Sequence, residues 1–162
     1  MTSMLRGLTT ITFYADDVAA AQRWYEDLLG VKAYFVRPEV GPPAYVEFRL
    51  GDDEDELGIV DRRYARPGPA EPGAKDSTSG PLGGPPDRIQ GGGAIAYWHV
   101  DDIEATMATL VRAGATEYEP ATERGPGFVT ASVVDPFGNI LGVMYNAHFL
   151  QRHPGSRPST RD

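Results

Sequence analysis

A hairpin signal near the C-terminal end constrains this chain more than any other feature. The apolar runs Val129–Val134 and Ile140–Tyr145 flank the sequence Asp-Pro-Phe-Gly-Asn at positions 135–139. Proline, glycine and asparagine supply the backbone dihedral angles of a tight reversal, and the runs themselves are rich in β-branched residues. Upstream, Tyr45–Leu50 and Glu56–Asp61 surround an acidic turn in the same way. The repetition indicates an internal duplication.

Each half of the chain also carries a helix signal in front of its hairpin. Asp17 and Asp102 are predicted N-caps, because apolar residues at helical spacing follow each of them. Gly30 and Gly114 are predicted to end the two helices. The remaining predicted strands are Leu8–Tyr14, Lys32–Val36, Ala94–Val100 and Thr116–Glu119. The sequence therefore predicts an α+β fold: two βαβββ modules form a cupped mixed sheet around a central cleft, with the helices on the outer face.

The predicted organisation has four parts. Residues 1–62 form the first module, 63–93 a Pro/Gly-rich segment, 94–147 the second module and 148–162 a flexible C-terminal tail. The segment 63–93 offers little to bury, which favours a linker, and a lid over the cleft stays open as the alternative. The tail is expected to fray because of Pro154, Gly155 and Pro158.

Composition excludes several classes of protein. Without cysteine, the chain has no disulfide, thiolate metal site or cysteine nucleophile. The formal net charge of −8, with no cluster of basic residues, argues against a nucleic-acid partner. No apolar run approaches the length of a membrane span, and the first residues lack the apolar region of a signal peptide. We therefore expect a cytoplasmic protein without a membrane partner.

The duplicated pattern resembles the vicinal oxygen chelate superfamily, which includes glyoxalase I, bleomycin-resistance proteins and extradiol dioxygenases. Three features carry the resemblance: the Asp-Asp caps after both first strands, the helix end Trp24–Gly30, and the 135–139 turn with the strand after it. The resemblance implies paired βαβββ modules, a small organic ligand held in the cup, and a homodimer.

The same resemblance implies metal-ligand positions on the first and last strand of each module, where metal-dependent members carry His and Glu. In this chain they are Thr10 and Gly58 in the first module, and Ile95 and Gly142 in the second. None of these residues offers a ligand of the usual kind. We therefore expect no metal ion at these positions and no cofactor. A metal enzyme with ligands elsewhere in the chain is a third interpretation.

Strand alternation predicts which side chains face the cup. They combine hydroxyl, aromatic, thioether and amide groups, and Gly58 and Gly142 are expected to leave space between them. Such a wall suits a flat or bulky organic molecule. The predicted ligand-binding residues are Thr10, Thr12, Tyr45, Ile95, Tyr97, Gly142, Met144 and Asn146.

Two functional hypotheses follow from these residues and the resemblance. The leading one is a metal-independent protein, similar to glyoxalases and bleomycin-resistance proteins, that binds a small organic molecule in the cup and confers resistance by sequestration. The alternative is a metal-free isomerase, lyase or epimerase in which His99 or Glu47 transfers a proton. The plain interpretation of His99 is a rim histidine beside Asp101 or Asp102, and that of Glu47 is a surface pair. The sequence leaves enzyme and binding protein both open.

Overall fold

The computed structural model describes residues 9–65 and 95–153, and its first half is one βαβββ module. Its sheet has the strand order β1-β4-β3-β2, in which only β1 and β4 are parallel. A single 3-10 turn, Arg62–Tyr64, follows the sheet. The elements are β1 (Thr10–Ala15), α1 (Val18–Leu29), β2 (Phe35–Arg37), β3 (Tyr45–Leu50) and β4 (Asp55–Asp61).

The second half repeats this arrangement. Its sheet has the order β5-β8-β7-β6, again with its first and last strands parallel. The predicted α+β fold of two βαβββ modules is thereby confirmed. The elements are β5 (Tyr97–His99), α2 (Ile103–Arg112), β6 (Thr116–Gly125), β7 (Phe128–Val134), β8 (Ile140–Asn146) and a third helix, α3 (Ala147–Arg152).

Both long helices begin at the predicted caps and α1 ends at Gly30 as predicted, whereas α2 ends at Arg112 with Ala113 as its C-cap, one residue before the predicted Gly114. The carboxylate of Asp17 accepts the backbone N–H of Ala20 at 2.8 Å, and that of Asp102 accepts the N–H of Ala105 at 2.9 Å. Gly30 ends α1 in the left-handed conformation, with φ of 70°, which glycine adopts without steric cost. The side-chain caps satisfy N–H groups that a helix cannot pair internally.

One apolar core lies between the helices and one face of each sheet. Alternate residues of the strands supply it, as the period of a β-strand requires. Its fully buried members include Val46, Phe48, Leu57 and Ile59 from the first module and Leu110, Ala131, Val133 and Val143 from the second. The opposite faces of the two sheets are therefore free of helix α1 and α2. We call these two faces together the cup face. Its residues are Thr10, Thr12, Tyr45, Glu47 and Gly58 in the first sheet, and Tyr97, His99, Gly142 and Met144 in the second.

The 135–139 turn holds the two modules together through Asn139. Its side-chain oxygen accepts the backbone N–H of Tyr14 at 2.9 Å, and its amide nitrogen donates to the carbonyl of Tyr14 at 3.0 Å. Asn139 thus pairs with the end of β1 as a neighbouring strand would. The buried carboxylate of Asp135 accepts the hydroxyl of Tyr25 in α1 at 2.7 Å.

Aromatic packing completes this contact, which we call the module joint (Tyr14, Trp24, Tyr25, Asp135, Phe137 and Asn139). The indole N–H of Trp24 donates to the carbonyl of Ala113 at 2.7 Å, and its ring meets Phe137 edge-on at 6.0 Å. Arg62 donates to the carbonyl of Phe137 at 2.7 Å. The joint buries aromatic area and satisfies its polar groups at once.

The structure differs from the expected frayed tail as far as His153. Asn146 caps α3, because its side-chain oxygen accepts the backbone N–H groups of His148 at 2.9 Å and Phe149 at 3.3 Å. The ring of Phe149 then stacks on His99 with ring centroids 4.4 Å apart. A cap and one aromatic contact are enough to order a short helix against the sheet.

Strand β6 runs to Gly125, although the sequence predicts a strand ending at Glu119. Its pairing with β7 shifts register between Glu117 and Glu119, between Glu119 and Thr122, and between Glu123 and Gly125. Each irregularity interrupts the alternation of side chains, and for that reason the pattern does not indicate a long strand. The remaining strand bounds differ from the expected ones by up to three residues.

The predicted linker or lid falls almost wholly on residues 66–94, which lie outside the described ranges. Within the described part of the chain, no helix has both the length and the apolarity needed to cross a membrane.

Replacing Asn139 by alanine tests the module joint. The change removes two hydrogen bonds to β1 and leaves both backbone groups of Tyr14 without these partners. We expect the free energy of unfolding, measured by urea denaturation, to fall by about 2–3 kcal/mol. The control is Gln22→Ala, which removes a side-chain amide bonded to Glu26 on α1 and should cost less than about 1 kcal/mol. Equal losses in the two variants would contradict the role given to Asn139.

Candidate functional site

Three of the four positions at which the resemblance implies metal ligands, Thr10, Gly58 and Gly142, lie on the paired first and last strands, whereas Ile95 precedes β5. In β1 and β4, Thr10 pairs with Glu56, and its hydroxyl donates to that carboxylate at 2.9 Å. Gly58 lies opposite Thr12, and Gly142 lies opposite Tyr97 in the equivalent register of the second sheet. The first and last strands are thus paired as the resemblance implies, but the side chains at these positions are not metal ligands of the usual kind.

The two glycines leave no room, so that expectation was wrong. A Cβ atom on Gly58 would lie 2.8 Å from the hydroxyl oxygen of Tyr45. A Cβ on Gly142 would lie 2.7 Å from the carbonyl oxygen of Ala96 and 2.7 Å from the ring of Tyr97. Both distances are shorter than real contacts, because neighbouring tyrosines fill the space above each glycine.

The residues at these positions therefore do not fit a metal ion bound in the manner of the metal-dependent members. A side chain at Gly142 would collide with the backbone carbonyl of Ala96, and one at Gly58 would require the ring of Tyr45 to move. Elsewhere in residues 9–65 and 95–153, no three His, Asp or Glu side chains converge closely enough to hold a metal ion.

The first module's cup face carries a hydrogen-bonded cluster, which we call the tyrosine–glutamate cluster (Thr10, Tyr34, Tyr45, Glu47 and Glu56). The hydroxyl of Tyr34 lies 2.8 Å from Glu47 Oε2 and 2.9 Å from Glu56 Oε1. Tyr45 donates to the other oxygen of Glu47. Both predicted residues of β3, Tyr45 and Glu47, thus face the cup, because the alternate residues Val46 and Phe48 are buried in the core.

Charge and burial set the protonation of this cluster. The carboxylates raise the pKa of Tyr34 to about 12, with the bond to Glu47 as the largest cause. Burial, and then the bond to Glu47, raises the pKa of Tyr45 well above its usual value. The hydroxyls of Tyr34 and Thr10 lower the pKa of Glu56. Both phenols therefore remain neutral donors at physiological pH.

His99 lies at the end of β5 on the second module's cup face. Its Nδ1 accepts the backbone N–H of Asn146 at 3.2 Å, which assigns the proton of the neutral ring to Nε2. The Nε2 atom is buried, and Asp101 Oδ1 lies 3.6 Å from it. The Nε2 atom has no hydrogen-bond partner in the described structure, so His99 lies beside Asp101 without bonding to it, and about a tenth of its side chain is exposed.

A cavity of about 270 Å³ lies beside His99. The predicted residues Tyr97, His99, Met144 and Asn146 line it from the second sheet. Helix α3 and the acidic turn between β3 and β4 form the opposite walls, with Phe149, Arg152 and His153 from the helix end and Asp52, Asp53 and Asp55 from the turn. We call this space the cup cavity.

The ring of Phe149 forms the aromatic wall of the cup cavity. It lies between two imidazoles, with its centroid 4.4 Å from that of His99 and 4.3 Å from that of His153. His153 Nε2 approaches Asp53 Oδ2 at 3.4 Å, which ties the end of α3 to the acidic turn of the first module. The two modules and the third helix thus enclose the cavity together.

The predicted site residues fall into two groups that no hydrogen bond in the described structure joins. Thr10, Tyr45 and Glu47 belong to the tyrosine–glutamate cluster, and exposed Thr12 lies beside it on β1. In the second group, Tyr97, His99, Met144 and Asn146 line the cup cavity. Ile95 and Gly142 are not part of that lining, and Ile95 packs where a Cβ of Gly142 would reach it.

Sequence reasoning missed Tyr34, Phe149 and His153. Tyr34 falls inside the predicted strand Lys32–Val36, but the observed β2 begins only at Phe35, so the alternation expected for that strand does not apply to Tyr34. Phe149 and His153 lie in the segment expected to fray. The usable signal for both was Asn146 directly before Ala147–Arg152, since asparagine is a favoured N-cap.

Comparisons with known proteins agree with this architecture. The structure matches TioX from Micromonospora sp. ML1 with a TM-score of 0.54, 14% sequence identity and coverage of 86% of this chain and 98% of TioX. A glyoxalase-related enzyme from Fulvimarina pelagi matches with a TM-score of 0.57 and 18% identity, over 88% of this chain and 89% of that one.

A glyoxalase/bleomycin resistance protein/dioxygenase family enzyme from Burkholderia phytofirmans PsJN matches with a TM-score of 0.54 and 15% identity, over 85% and 96% of the two chains. At these identities the likeness shows the fold alone. No curated protein matches the sequence significantly. The model of one sequence family matches residues 7–143, which is most of the chain. The protein belongs to the Glyoxalase/Bleomycin resistance protein/Dioxygenase superfamily.

Proposed function

We propose that this protein binds a small organic molecule in the cup cavity without a metal ion, and that it confers resistance by sequestering that molecule. The observation that carries the proposal is the cavity itself, in which residues of the second sheet meet Phe149 and the acidic turn. Its walls combine apolar area with a few polar groups, as ligand pockets do. We propose a cytoplasmic homodimer as the working form, on the family resemblance alone.

The size of the cavity limits the ligand. At about 270 Å³ it lies near the lower end of the range for small-molecule sites, so a molecule with a single ring fits it best. The rings of Phe149 and Tyr97 and the thioether of Met144 favour an aromatic or other flat group.

Sequestration is favoured over catalysis in this cavity because neither ring nitrogen of His99 is accessible to a ligand. His99 Nδ1 accepts a backbone N–H, and Nε2 is buried beside Asp101. Proton transfer to or from a ligand requires a ring nitrogen within hydrogen-bond reach of it. Neither nitrogen of His99 meets that requirement in this arrangement.

A thermal-shift screen with single-ring compounds tests the cup cavity. Benzamidine, benzoate, catechol and phenol sample positive, negative and neutral groups on one ring. We expect at least one compound to raise the melting temperature, because a ligand that binds only the folded state stabilises it. Phe149→Ala should abolish that shift, since it removes the aromatic wall.

The matched control for Phe149→Ala is Phe35→Ala, which removes a phenylalanine from the edge strand β2, outside the cavity lining. This variant should keep the shift in melting temperature. The binding proposal fails if no compound stabilises the protein, or if Phe149→Ala responds as the unmodified protein does.

The alternative function, proton transfer by Glu47, is favoured by one observation in the tyrosine–glutamate cluster. Tyr34 lies within hydrogen-bond distance of both Glu47 and Glu56, and its hydroxyl has one proton to donate. That proton serves one carboxylate at a time, while Tyr45 and Thr10 donate to the other oxygens of Glu47 and Glu56. A carboxyl group that exchanges a proton with its neighbours at a cup surface is suited to general acid–base catalysis.

Hydrogen–deuterium exchange tests this alternative without knowledge of the product. If Glu47 transfers protons, a compound that binds the protein should exchange a C–H proton in D2O, as followed by NMR. Glu47→Gln should lower the exchange rate by about 100-fold or more while the thermal shift persists. His99→Ala is the companion variant. Exchange that continues unchanged in both variants would rule out the enzyme hypothesis in this form.

A further inference from the structure

A second, larger space lies on the helix side of the sheets, and it shares Gly51, Trp98 and His99 with the lining of the cup cavity. This groove of about 900 Å³ runs between the end of α1, the turn between β3 and β4, and one side of α2. Its floor consists of buried apolar residues, namely Leu57, Leu110, Leu141 and Val143. Leu28 and Thr109 stand on its two helical sides. We call it the intermodule groove.

The duplication of the fold explains why this groove exists. The N-caps Asp17 and Asp102 are equivalent, and Gly58 and Gly142 hold the same register on their parallel partners. The turn between β3 and β4 is therefore the counterpart of the 135–139 turn. Backbone geometry agrees, because the equivalent turn positions Glu54 and Gly138 both have positive φ, at 54° and 88°.

Two modules related in this way have two equivalent contacts, and one of them is the module joint. There the rings of Trp24 and Phe137 meet and fill the space between a helix and a turn. By the same equivalence, Trp24 corresponds to Thr109 in α2, and Phe137 corresponds to Asp53 in the acidic turn. Neither replacement carries a ring, so the second contact stays open and forms the intermodule groove.

The hydrogen bond of the joint has no counterpart either. Tyr25 and Asp135 correspond to Leu110 and Gly51. A leucine and a glycine cannot form the side-chain bond that closes the joint at 2.7 Å. The groove has therefore lost both the rings and the polar link that close its counterpart, while its apolar floor remains.

We propose that the intermodule groove is a second ligand site, which binds an uncharged two-ring aromatic molecule. Such a ligand supplies the two rings that Trp24 and Phe137 supply at the joint. The side chains of the floor are apolar and uncharged. Arg49 lies at one end of the groove, where its guanidinium carbon is 4.2 Å from the centroid of the Tyr34 ring. A volume of about 900 Å³ is within the range of sites for drug-sized molecules.

The experiment fills the groove with the residue that occupies its counterpart. The probe is N-phenyl-1-naphthylamine, an uncharged two-ring dye whose fluorescence rises in apolar surroundings. Thr109→Trp places an indole where the equivalence predicts one, on an exposed part of α2. We expect saturable binding to the unmodified protein and an affinity at least about tenfold lower in Thr109→Trp.

The matched control is Ala108→Trp, which adds the same side chain to the same helix at an exposed residue outside the groove lining. It should bind the dye as the unmodified protein does. Thr109→Phe is a second filling variant, in case the indole disturbs folding. In NMR spectra, the dye should shift the methyl signals of Leu28, Leu110 and Val143.

Three results would overturn the proposal. The first is equal dye affinity in the unmodified protein, Thr109→Trp and Thr109→Phe. The second is a set of methyl shifts confined to Met144 and its neighbours in the cup cavity. The third is an unmodified dimer that Thr109→Trp converts to a monomer, because the groove is then filled by a second copy of the chain. Phe149→Ala, which opens the cup cavity, should leave dye binding intact and so separates this site from the proposed function.

Discussion

The contact of the 135–139 turn with the first module is the constraint on which the rest of the structure depends. A βαβββ unit buries one face of its sheet under one short helix, which gives a single module a small core. No backbone ladder joins the two described sheets, so side chains must supply the link. Asn139 provides it by bonding both backbone groups of Tyr14, and Asp135 by accepting from Tyr25. The core that both modules share forms because these polar groups are satisfied where they are buried.

The duplicated fold divides its tasks unequally between the two halves. On the first sheet, the polar groups of the cup face bond to one another, so Glu47 and Tyr45 are already satisfied before any ligand arrives. On the second sheet, the equivalent surface opens into a cavity that α3 closes from one side. The two contacts between the modules diverge in the same manner, one closed by aromatic rings and the other open. The two sheets share one backbone arrangement, as do the two contacts between the modules. In each case a few side chains make one member of the pair open and the other closed.

Much of this arrangement could be predicted from the sequence, and the exceptions have physical causes. The periodicity of α1 is strong and its caps are well defined, so its bounds Val18–Leu29 agree with the expected ones. The order of the strands follows from the repeated hairpins. The alternation of side chains along a strand does not identify neighbours on the adjacent strand, however. It therefore did not predict that the side chain of Tyr45 covers Gly58. It likewise missed the contacts of Tyr34 and Phe149, which depend on residues distant in the chain.

Asn146 connects the wall of the cup cavity to helix α3. It ends β8 in the wall of the cup cavity, and its side chain starts α3 by accepting two backbone N–H groups. Its own backbone N–H donates to His99, on which Phe149 stacks. The wall and the helix therefore share one set of bonds, so the free energy of ordering the C-terminal helix and that of occupying the cavity are thermodynamically linked. By reciprocity, a ligand that stabilised the cavity wall would also stabilise α3.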